Sequence, residues 1–221
     1  MEVIVMKELL EANEKIAEEN RKYFASRHIL AVNLMGAPGS GKTTLISAVA
    51  KELKNIKIGV IEGDIASSID AERMETQGIR SSQINTCGEC HLDARVIRQG
   101  ADQIDMENAI VFIENVGNLI CPAEFDLGEN IRLLAASVPE GDDKPYKYVP
   151  MFSYADVVAL TKCDLKQAVG FDTSFFEKGL RAVSQAPLFE LSLRKGEKDE
   201  GIAELAAFLR KKYEEIAGPK G

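Results

Sequence analysis

The segment GAPGSGKT, at residues 36–43, has the residue types and the spacing of a loop that binds phosphate groups. It follows an apolar run and precedes a segment with the period of a helix, which is the context that this pattern requires. Glycines allow backbone N–H groups to close around phosphate oxygens, and the N-terminus of the following helix favours negative charge. The pattern therefore predicts a nucleotide site whose contacts come from Gly36, Ala37, Pro38, Gly39, Ser40, Gly41, Lys42, Thr43 and Thr44.

Two residues of this loop and two acidic residues are candidates for the chemistry of hydrolysis. In loops of this type the lysine reaches the β- and γ-phosphates and the next hydroxyl ligates Mg²⁺, which predicts these roles for Lys42 and Thr43. Asp64 and Glu114 each follow an apolar run, at a position that predicts the carboxyl end of a strand. Ligands of α/β sheets collect there. Either carboxylate can hold Mg²⁺ directly or through a water, and the alternative is a solvated acidic residue at a strand end.

A possible switch segment follows the second of these strands. The sequence ENVG, at residues 114–117, is similar to the D-x-x-G switch of GTPases, with Glu in place of Asp. The similarity predicts that Gly117 offers its N–H to the γ-phosphate. Asp70 and Arg73 are candidates for positioning the nucleotide or the attacking water, although both fit the surface of a helix equally well. Because the sequence shows no evident arginine finger or switch glutamine, we expect slow hydrolysis.

The segment TKCD, at residues 161–164, follows another apolar run and is similar to the guanine-recognition motif N-K-x-D, with Thr161 in place of asparagine. The carboxylate of Asp164 could accept hydrogen bonds from N1–H and the 2-amino group of guanine, whereas adenine offers neither donor. A buried mismatch of this kind discriminates strongly between bases. Lys162 is expected to pack its stem over the base. We therefore predict GTP and GDP as the bound nucleotides; the alternative is a turn capped by an aspartate.

Cysteine and histidine residues occur together in two short segments. Cys90 and His91 are adjacent, with Cys87 before them, and Cys121 lies in a Cys-Pro loop. Thiolate and imidazole suit Zn²⁺ and Ni²⁺, which predicts a metal site at Cys90, His91 and Cys121; buried cysteines with a turn histidine are the alternative. Three ligands fall short of a closed tetrahedral site, so a second chain could complete it. Since Gly117 precedes Cys121 by four residues, a rearrangement on hydrolysis would move a metal ligand.

Apolar runs that alternate with helical periods must position these residues. The runs are nearly continuous, as strands buried in a parallel sheet require: HILAVNLM, IKIGVIEG, AIVFIEN, IRLLAAS, ADVVALT and PLFELSL. Helical periods fall near residues 43–53, 66–76, 91–99, 173–184 and 201–216. The alternation predicts an α/β protein with a mostly parallel central sheet flanked by helices, in the P-loop NTPase fold. An amphipathic helix at about residues 5–25 is expected to pack on a single domain spanning residues 1–221, and residues 138–152 are expected to be irregular.

The composition excludes several classes of protein. The chain has 221 residues, of which 45% are hydrophobic and 28% charged, and can bury a core without staples. A net charge of −8, from 27 basic and 35 acidic residues, argues against nucleic-acid binding. No apolar run approaches the ~18 residues of a membrane span and no secretory pattern begins the chain, so we expect a cytoplasmic protein. Four cysteines in such a chain favour metal or redox chemistry over disulfides.

A close resemblance to the HypB family is carried by the segments GAPGSGKTTL, EGDIASSIDAERM, CHLDA, IENVGNLICPAEFDLGE, EGDDKPYKYVPMF and TKCDL. HypB proteins are P-loop GTPases of the SIMIBI class that help to insert nickel into [NiFe] hydrogenase, and the resemblance covers essentially residues 5–216. It implies a GTP-hydrolysing metallochaperone that dimerises with GTP and binds metal at Cys90, His91 and Cys121. It also implies a hydrogenase large subunit and an accessory nickel chaperone as partners.

The chain departs from some members of that family. It begins MEVIVMKELLEAN, with neither a cysteine motif nor a His-rich tract, and is therefore expected to lack a separate N-terminal nickel site. Arg95 stands where some relatives have a further histidine, and Cys87 could add a ligand, so the coordination shell and the choice between Ni²⁺ and Zn²⁺ stay open. The alternative functions are a urease-type nickel GTPase, a small-molecule P-loop kinase and a metal-storage protein. The kinase explains the phosphate loop but neither the base motif nor the Cys-His cluster.

Overall fold

The computed structural model of the protein describes residues 2–63, 74, 76–85, 91–192 and 199–218, with the backbone alone at residues 2–9. Within these residues seven strands form one sheet, and every pair of neighbours in it is parallel. The strands are β1 (Ile29–Met35), β2 (Lys57–Glu62), β3 (Arg80–Gln83), β4 (Ala109–Glu114), β5 (Ile131–Ser137), β6 (Val157–Thr161) and β7 (Leu188–Glu190). Their spatial order is β3-β2-β4-β1-β5-β6-β7. The predicted α/β class with a mostly parallel sheet is confirmed.

Helices lie on both faces of this sheet. The described helices are α1 (Glu2–Ser26), α2 (Lys42–Glu52), α3 (Ala94–Ile104), α4 (Lys144–Lys147), α5 (Val149–Ser153), α6 (Lys166–Val169), α7 (Thr173–Val183) and α8 (Glu200–Ala217). Three of them begin after an aspartate whose side chain accepts a hydrogen bond from a backbone N–H of the first turn: Asp93, Asp172 and Asp199. Such caps satisfy donors that the helix leaves unpaired. Within the described residues, no helix combines the length and the apolar character that a membrane span needs.

The middle strand β1 shows how the two layers of helices cover the sheet. Its residues are all buried, and successive side chains of a strand point to opposite faces. Leu30, Val32 and Leu34 join the apolar cluster that contains residues of α2 and α8. Ile29 and Ala31 join the cluster that contains residues of α1 and α3. Burial on both faces explains why this strand is an almost continuous apolar run.

Two segments differ from the expectation. The strand β3 has the polar sequence RSSQ and was not predicted, because it lies at the edge of the sheet and pairs only with β2. The segment 138–152 was expected to be irregular, but it holds a 3-10 turn at Val138–Glu140 and the helices α4 and α5. The helical period predicted at 66–76 lies almost wholly outside the described residues.

The N-terminal helix α1 is fixed by polar side chains on its buried face. Asn13 donates to the carbonyl of Asp126 at 2.7 Å and accepts from the N–H of Ala94 at 2.8 Å. Asn20 donates to the carbonyls of Ala94, at 2.7 Å, and Leu127, at 3.0 Å. The helix therefore joins the start of α3, just after His91, to the turn at residues 126–128, which follows Cys121.

Gly128 allows this close docking. It has a φ of +85°, and an added Cβ would lie 2.4 Å from the carbonyl oxygen of Ala17 and 2.6 Å from the Cβ of Asn20. Gly170 has a similar φ of +67°, but an added Cβ there would meet nothing within 4 Å. Both glycines therefore have a left-handed backbone, but only Gly128 lacks room for a side chain.

We expect Gly128→Ala to destabilise the protein far more than Gly170→Ala. The control should lose about 1 kcal/mol, since both alanines adopt a left-handed backbone. Gly128→Ala should lose at least ~2 kcal/mol more, because the methyl group pushes against the backbone of α1. Urea unfolding of both variants and the wild type measures the free energy of unfolding. Equal losses would contradict the tight docking of α1 against this turn.

Candidate nucleotide and metal site

The segments that carry the candidate residues leave the sheet at one edge. The phosphate loop follows β1, Glu114 ends β4, and the base motif begins with Thr161 at the end of β6. Because the strands are parallel, their carboxyl ends lie together, and ligands of open α/β sheets bind there. The fold therefore brings three of the predicted segments to one place. Outside the described residues lie Asp64, Asp70, Arg73, Cys87 and Cys90.

The phosphate loop has a backbone that only glycine adopts readily at three positions. The φ angles of Gly36, Gly39 and Gly41 are +151°, +74° and +95°. A Cβ at Gly36 would lie 2.4 Å from the carbonyl oxygen of Ala135, so β5 packs directly against the start of the loop. A Cβ at Gly39 would meet nothing within 4 Å. The loop is thus crowded on its inner side and open at its tip.

Lys42 begins α2 and is buried against the loop. Its Nζ donates to the carbonyls of Gly36, at 3.3 Å, and Ala37, at 3.2 Å. The ammonium group therefore lies under the loop that is predicted to bind the phosphates, and Thr44 is exposed in the same turn. This arrangement concentrates positive charge and backbone donors at the N-terminus of a helix, which favours a polyphosphate.

The hydroxyl of Thr43 and the carboxylate of Glu114 lie together. Thr43 Oγ1 donates to Glu114 Oε1 at 2.8 Å, and the glutamate is buried at the end of β4. A hydroxyl and a carboxylate at this separation are oxygen ligands of the kind that Mg²⁺ prefers. The two residues therefore fit the predicted magnesium site, beside Lys42.

Gly117 packs directly on the phosphate loop. A Cβ at this position would lie 2.9 Å from Pro38 Cγ and 3.0 Å from the Pro38 backbone nitrogen, so a larger residue would force the two segments apart. The next residue, Asn118, forms an isolated antiparallel bridge with Gly36. The segment that leads to Cys121 is therefore attached to the loop at two successive residues.

The base motif is tied to the phosphate loop as well. Thr161 is fully buried, and its Oγ1 donates to the carbonyl of Ser40 at 2.6 Å. Lys162 has a φ of +58°, and its Nζ donates to the carbonyl of Gly39 at 2.7 Å. Asp164 lies in the 3-10 turn Cys163–Leu165, and the residues at the N-cap positions of that turn and of α6 are Lys162 and Leu165. The alternative of an aspartate cap is therefore not what the structure has.

The two segments that carry the predicted metal ligands approach each other through an aromatic contact. The ring of His91 stacks on that of Phe125 with their centroids 3.8 Å apart. Cys121 is partly buried at the start of the 3-10 turn Cys121–Ala123, and Ile120 beside it is 63% exposed. No group of three metal-ligating side chains is found within the described ranges, which do not include Cys90. The structure thus places His91 next to the segment that carries Cys121.

Sequence reasoning missed a set of buried polar residues behind this site. Asn33 lies fully buried in β1 and bonds to Asn115 and to Glu129. A polar residue in the apolar run ILAVNLM was the signal that could have identified it. The contacts of Asn33 link the segment before Gly117 with the turn at 126–129.

The thiol of Cys163 lies in the base motif and is not one of the candidate metal ligands. Its Sγ donates to the carbonyl of Leu160 at 3.1 Å. Burial raises the pKa of this thiol to about 11, with the carboxylate of Glu190 acting in the same direction and Lys166 opposing it. Metal ions coordinate the thiolate form of cysteine, and alkylating agents react with that form. Because this thiol stays protonated at neutral pH, Cys163 is a poor metal ligand there.

Comparisons with known proteins agree on one family. A family model described as the CobW/HypB/UreG nucleotide-binding domain matches residues 30–189. The chain is 38% identical to the probable hydrogenase maturation factor HypB of Methanocaldococcus jannaschii, over 96% of each chain. It is 43% identical to the hydrogenase maturation factor HypB of Rhizobium leguminosarum bv. viciae over 87% of its own length, and spans 66% of that relative.

The fold is also that of a solved structure. The crystal structure of HypB from Helicobacter pylori in complex with nickel superposes with a TM-score of 0.87 and 33% identity. The match covers 95% of this chain and 99% of that one. The prediction of a P-loop NTPase fold is therefore confirmed over nearly the whole chain.

We expect Cys163 to resist alkylation in the folded protein. With a pKa of about 11, the thiolate fraction at pH 8 should be roughly 100-fold below that of an ordinary cysteine. Because the pKa is raised, the thiolate forms only at high pH, and labelling should accelerate as the pH rises towards 11. Iodoacetamide labelling followed by peptide mass spectrometry measures the rate, with the urea-unfolded protein as the control. A folded-state rate equal to the unfolded one would contradict the prediction.

Proposed function

Because the chain belongs to the CobW/HypB/UreG family and, within it, to the HypB hydrogenase maturation factors, we propose that it is a GTP-hydrolysing nickel metallochaperone. In this proposal, GTP binding and hydrolysis control the binding and release of nickel at Cys90, His91 and Cys121. The observation that carries it is the contact of Gly117 and Asn118 with the phosphate loop, only a few residues before Cys121. A change at the γ-phosphate position would therefore act directly on the segment that bears a metal ligand.

Guanine selectivity is proposed for the base motif. Asp164 accepts hydrogen bonds from guanine, and Lys162 packs on the base while its Nζ stays on the carbonyl of Gly39. Thr161 acts as a tether, because its hydroxyl fixes the motif against Ser40 and does not need to reach the base. This division of roles supports a guanine nucleotide over the adenine nucleotide of a P-loop kinase.

Hydrolysis is proposed to depend mainly on charge and position. Lys42 neutralises the β- and γ-phosphates from beneath the loop, and the backbone N–H of Gly117 orients the γ-phosphate. Thr43, Glu114 and Asp64 would hold Mg²⁺, directly or through water. When bound, Mg²⁺ supplies positive charge that stabilises the transferring phosphoryl group. We expect slow turnover, because the residues assigned to the site include neither a switch glutamine nor an arginine finger, and Asp70 and Arg73 remain candidates for orienting water.

Nickel is the proposed cargo, since the similar H. pylori protein was crystallised with nickel. The ligands would be Cys90, His91 and Cys121, with Zn²⁺ as the competing metal because thiolate and imidazole accept both. Three ligands from one chain leave a tetrahedral site incomplete. We therefore propose that GTP brings two chains together as a homodimer and that their paired segments complete the site.

The wider setting follows from the same family membership. We propose that nickel passes between an accessory nickel chaperone, this protein and a hydrogenase large subunit, within the cytoplasm. The chain would act as a single P-loop GTPase domain, without nucleic acid or membrane as a partner. A urease-type nickel GTPase is the alternative for the recipient pathway, and it uses the same chemistry at this site.

Asp164→Asn should lower the affinity for GTP by about 100-fold or more, because an amide replaces the carboxylate that accepts two hydrogen bonds. The variant should prefer xanthosine triphosphate, whose N1 and C2 groups complement the amide. Asp172→Asn is the matched control, because asparagine caps α7 as well as aspartate does. Titrations with GTP, XTP and ATP measure the three affinities. Wild-type protein that binds ATP as tightly as GTP would rule out this assignment.

Metal affinity should differ between the nucleotide states by roughly 5–150-fold, the range of typical allosteric couplings. Titration of Ni²⁺ and Zn²⁺ with GDP or a non-hydrolysable GTP analogue measures it, with the molecular mass followed in parallel. Cys121→Ala should abolish the difference while each monomer still binds GTP. Cys163→Ala, the same change at a thiol outside the proposed shell, should retain it. Identical metal affinities in both states would leave a GTPase and a metal site with no switch between them.

A further inference from the structure

The side chain of Asn33 occupies an unusual place in the sheet. It is fully buried in β1, whose other members are all apolar. A buried amide destabilises a protein unless its donors and acceptor find partners. The partners of Asn33 therefore indicate why an amide is present in the middle of an apolar strand.

On one side, Asn33 is bonded to the segment that leads to the phosphate contact. Its Oδ1 accepts a hydrogen bond from Asn115 Nδ2 at 3.1 Å. Asn115 is also buried, and its own Oδ1 accepts from the backbone N–H of Val116 at 2.9 Å. Val116 directly precedes Gly117, so Asn33 is coupled through one residue to the segment that packs on Pro38.

On the other side, Asn33 is bonded to a buried carboxylate. Its Nδ2 donates to Glu129 Oε1 at 3.2 Å, and Arg132 Nε donates to the same oxygen at 2.7 Å. The second oxygen, Oε2, accepts from the backbone N–H of Leu127 at 2.8 Å. Glu129 thus connects Asn33 to the turn that closes the segment beginning at Cys121.

This turn, which ends the segment that carries Cys121, is also linked through Asn20 to the region that follows His91. The carbonyl of Leu127 accepts from Asn20 of α1, and Asn20 also donates to the carbonyl of Ala94. Ala94 begins α3, three residues after His91. The hydrogen bonds therefore run without a break from Val116, through Asn33 and Glu129, to α1 and the start of α3.

We propose that Asn33 is a positioning residue that transmits the nucleotide state from Val116 to the turn at Leu127. This inference rests on the proposed function and adds a second route to it. The tether from Gly117 acts on the start of the Cys121 segment, and the Asn33–Glu129 link acts on its end. If one of these residues moved alone, a buried donor would lose its acceptor. The residues of the link therefore shift together.

The polarity of this link provides the test. Asn33→Asp keeps an oxygen that accepts from Asn115 but removes the N–H that donates to Glu129, and sets two carboxylates against each other. Glu129→Gln also interrupts the link without adding charge, because its single amide oxygen can accept from Asn33 or from the N–H of Leu127, and its amide N–H then faces a donor at the other end. The double variant restores a donor facing an acceptor. Asn130→Asp is the matched control, because its Oδ1 accepts from the N–H of Ala31 outside the link and can continue to do so.

Two measurements in GDP and in a non-hydrolysable GTP analogue report the transmission. Amide hydrogen exchange should differ between the two states at residues 115–117 and at residues 126–129 in wild-type protein and Asn130→Asp. In Asn33→Asp and in Glu129→Gln the difference at 126–129 should disappear, while that at 115–117 remains. The nucleotide-dependent ratio of Ni²⁺ affinities should fall to within about twofold, and the double variant should regain most of it.

The outcomes separate this inference from the proposed function. A wild-type ratio of one, with exchange that still changes at 126–129, would refute the metal switch and leave the link standing. The proposed link is wrong if amide exchange at residues 126–129 of the wild-type protein is the same in both nucleotide states. It is also wrong if Asn33→Asp retains the wild-type difference in exchange there. It is equally wrong if the double variant is folded but regains nothing. Should Asn33→Asp fail to fold, Glu129→Gln and the double variant decide the question in the same way.

Discussion

Close packing against the backbone of the phosphate loop constrains the whole candidate site. The carbonyl of Ala135 excludes any side chain at Gly36, and Pro38 excludes one at Gly117. Thr161 and Lys162 attach the base motif to the same loop through two carbonyls. Since interiors are packed with few voids, a shift of the loop is passed to each neighbour instead of being absorbed. The segments predicted to bind the nucleotide and the cation, and the predicted switch segment, are therefore fixed relative to one another.

The N-terminal helix α1 is also attached to these segments, although it lies on the other face of the sheet from α2. Its two buried asparagines bind backbone groups at the start of α3 and in the turn at 126–127. Arg21 adds an ion pair with Asp126. Burial acts to raise the pKa of that carboxyl, but the N–H of Gly128 and the Arg21 guanidinium together hold the pKa below its usual range. The helix thus fixes the relative position of the two segments that carry the predicted metal ligands.

Much of the fold follows from local pattern in the sequence, and the contacts that organise the site do not. Continuous apolar runs identified six strands. Five of them are buried on both faces, which demands such runs. The edge strand β7 is less buried but still apolar, whereas the edge strand β3 is polar and leaves no such signal. The predicted start of α3 at residue 91 was too early, since Asp93 caps the helix. The role of Thr161 as a tether to the phosphate loop could not be predicted, because its partner, Ser40, is distant in sequence. The roles of Asn13 and Asn20 could not be predicted, because their partners are also distant in sequence.

The position of β1 explains how one strand can contact both the phosphate loop and the segments that carry the predicted metal ligands. It is the central strand, paired with β4 on one side and β5 on the other, and it ends directly in the phosphate loop. Asn33 sits on this strand between Asn115, which follows β4, and Glu129, which precedes β5. A side chain in that place contacts both flanking connections while its own backbone is held by the sheet. We infer that the backbone of this strand is a fixed support, while the side chain of Asn33 shifts together with the two connections that it contacts when the nucleotide changes.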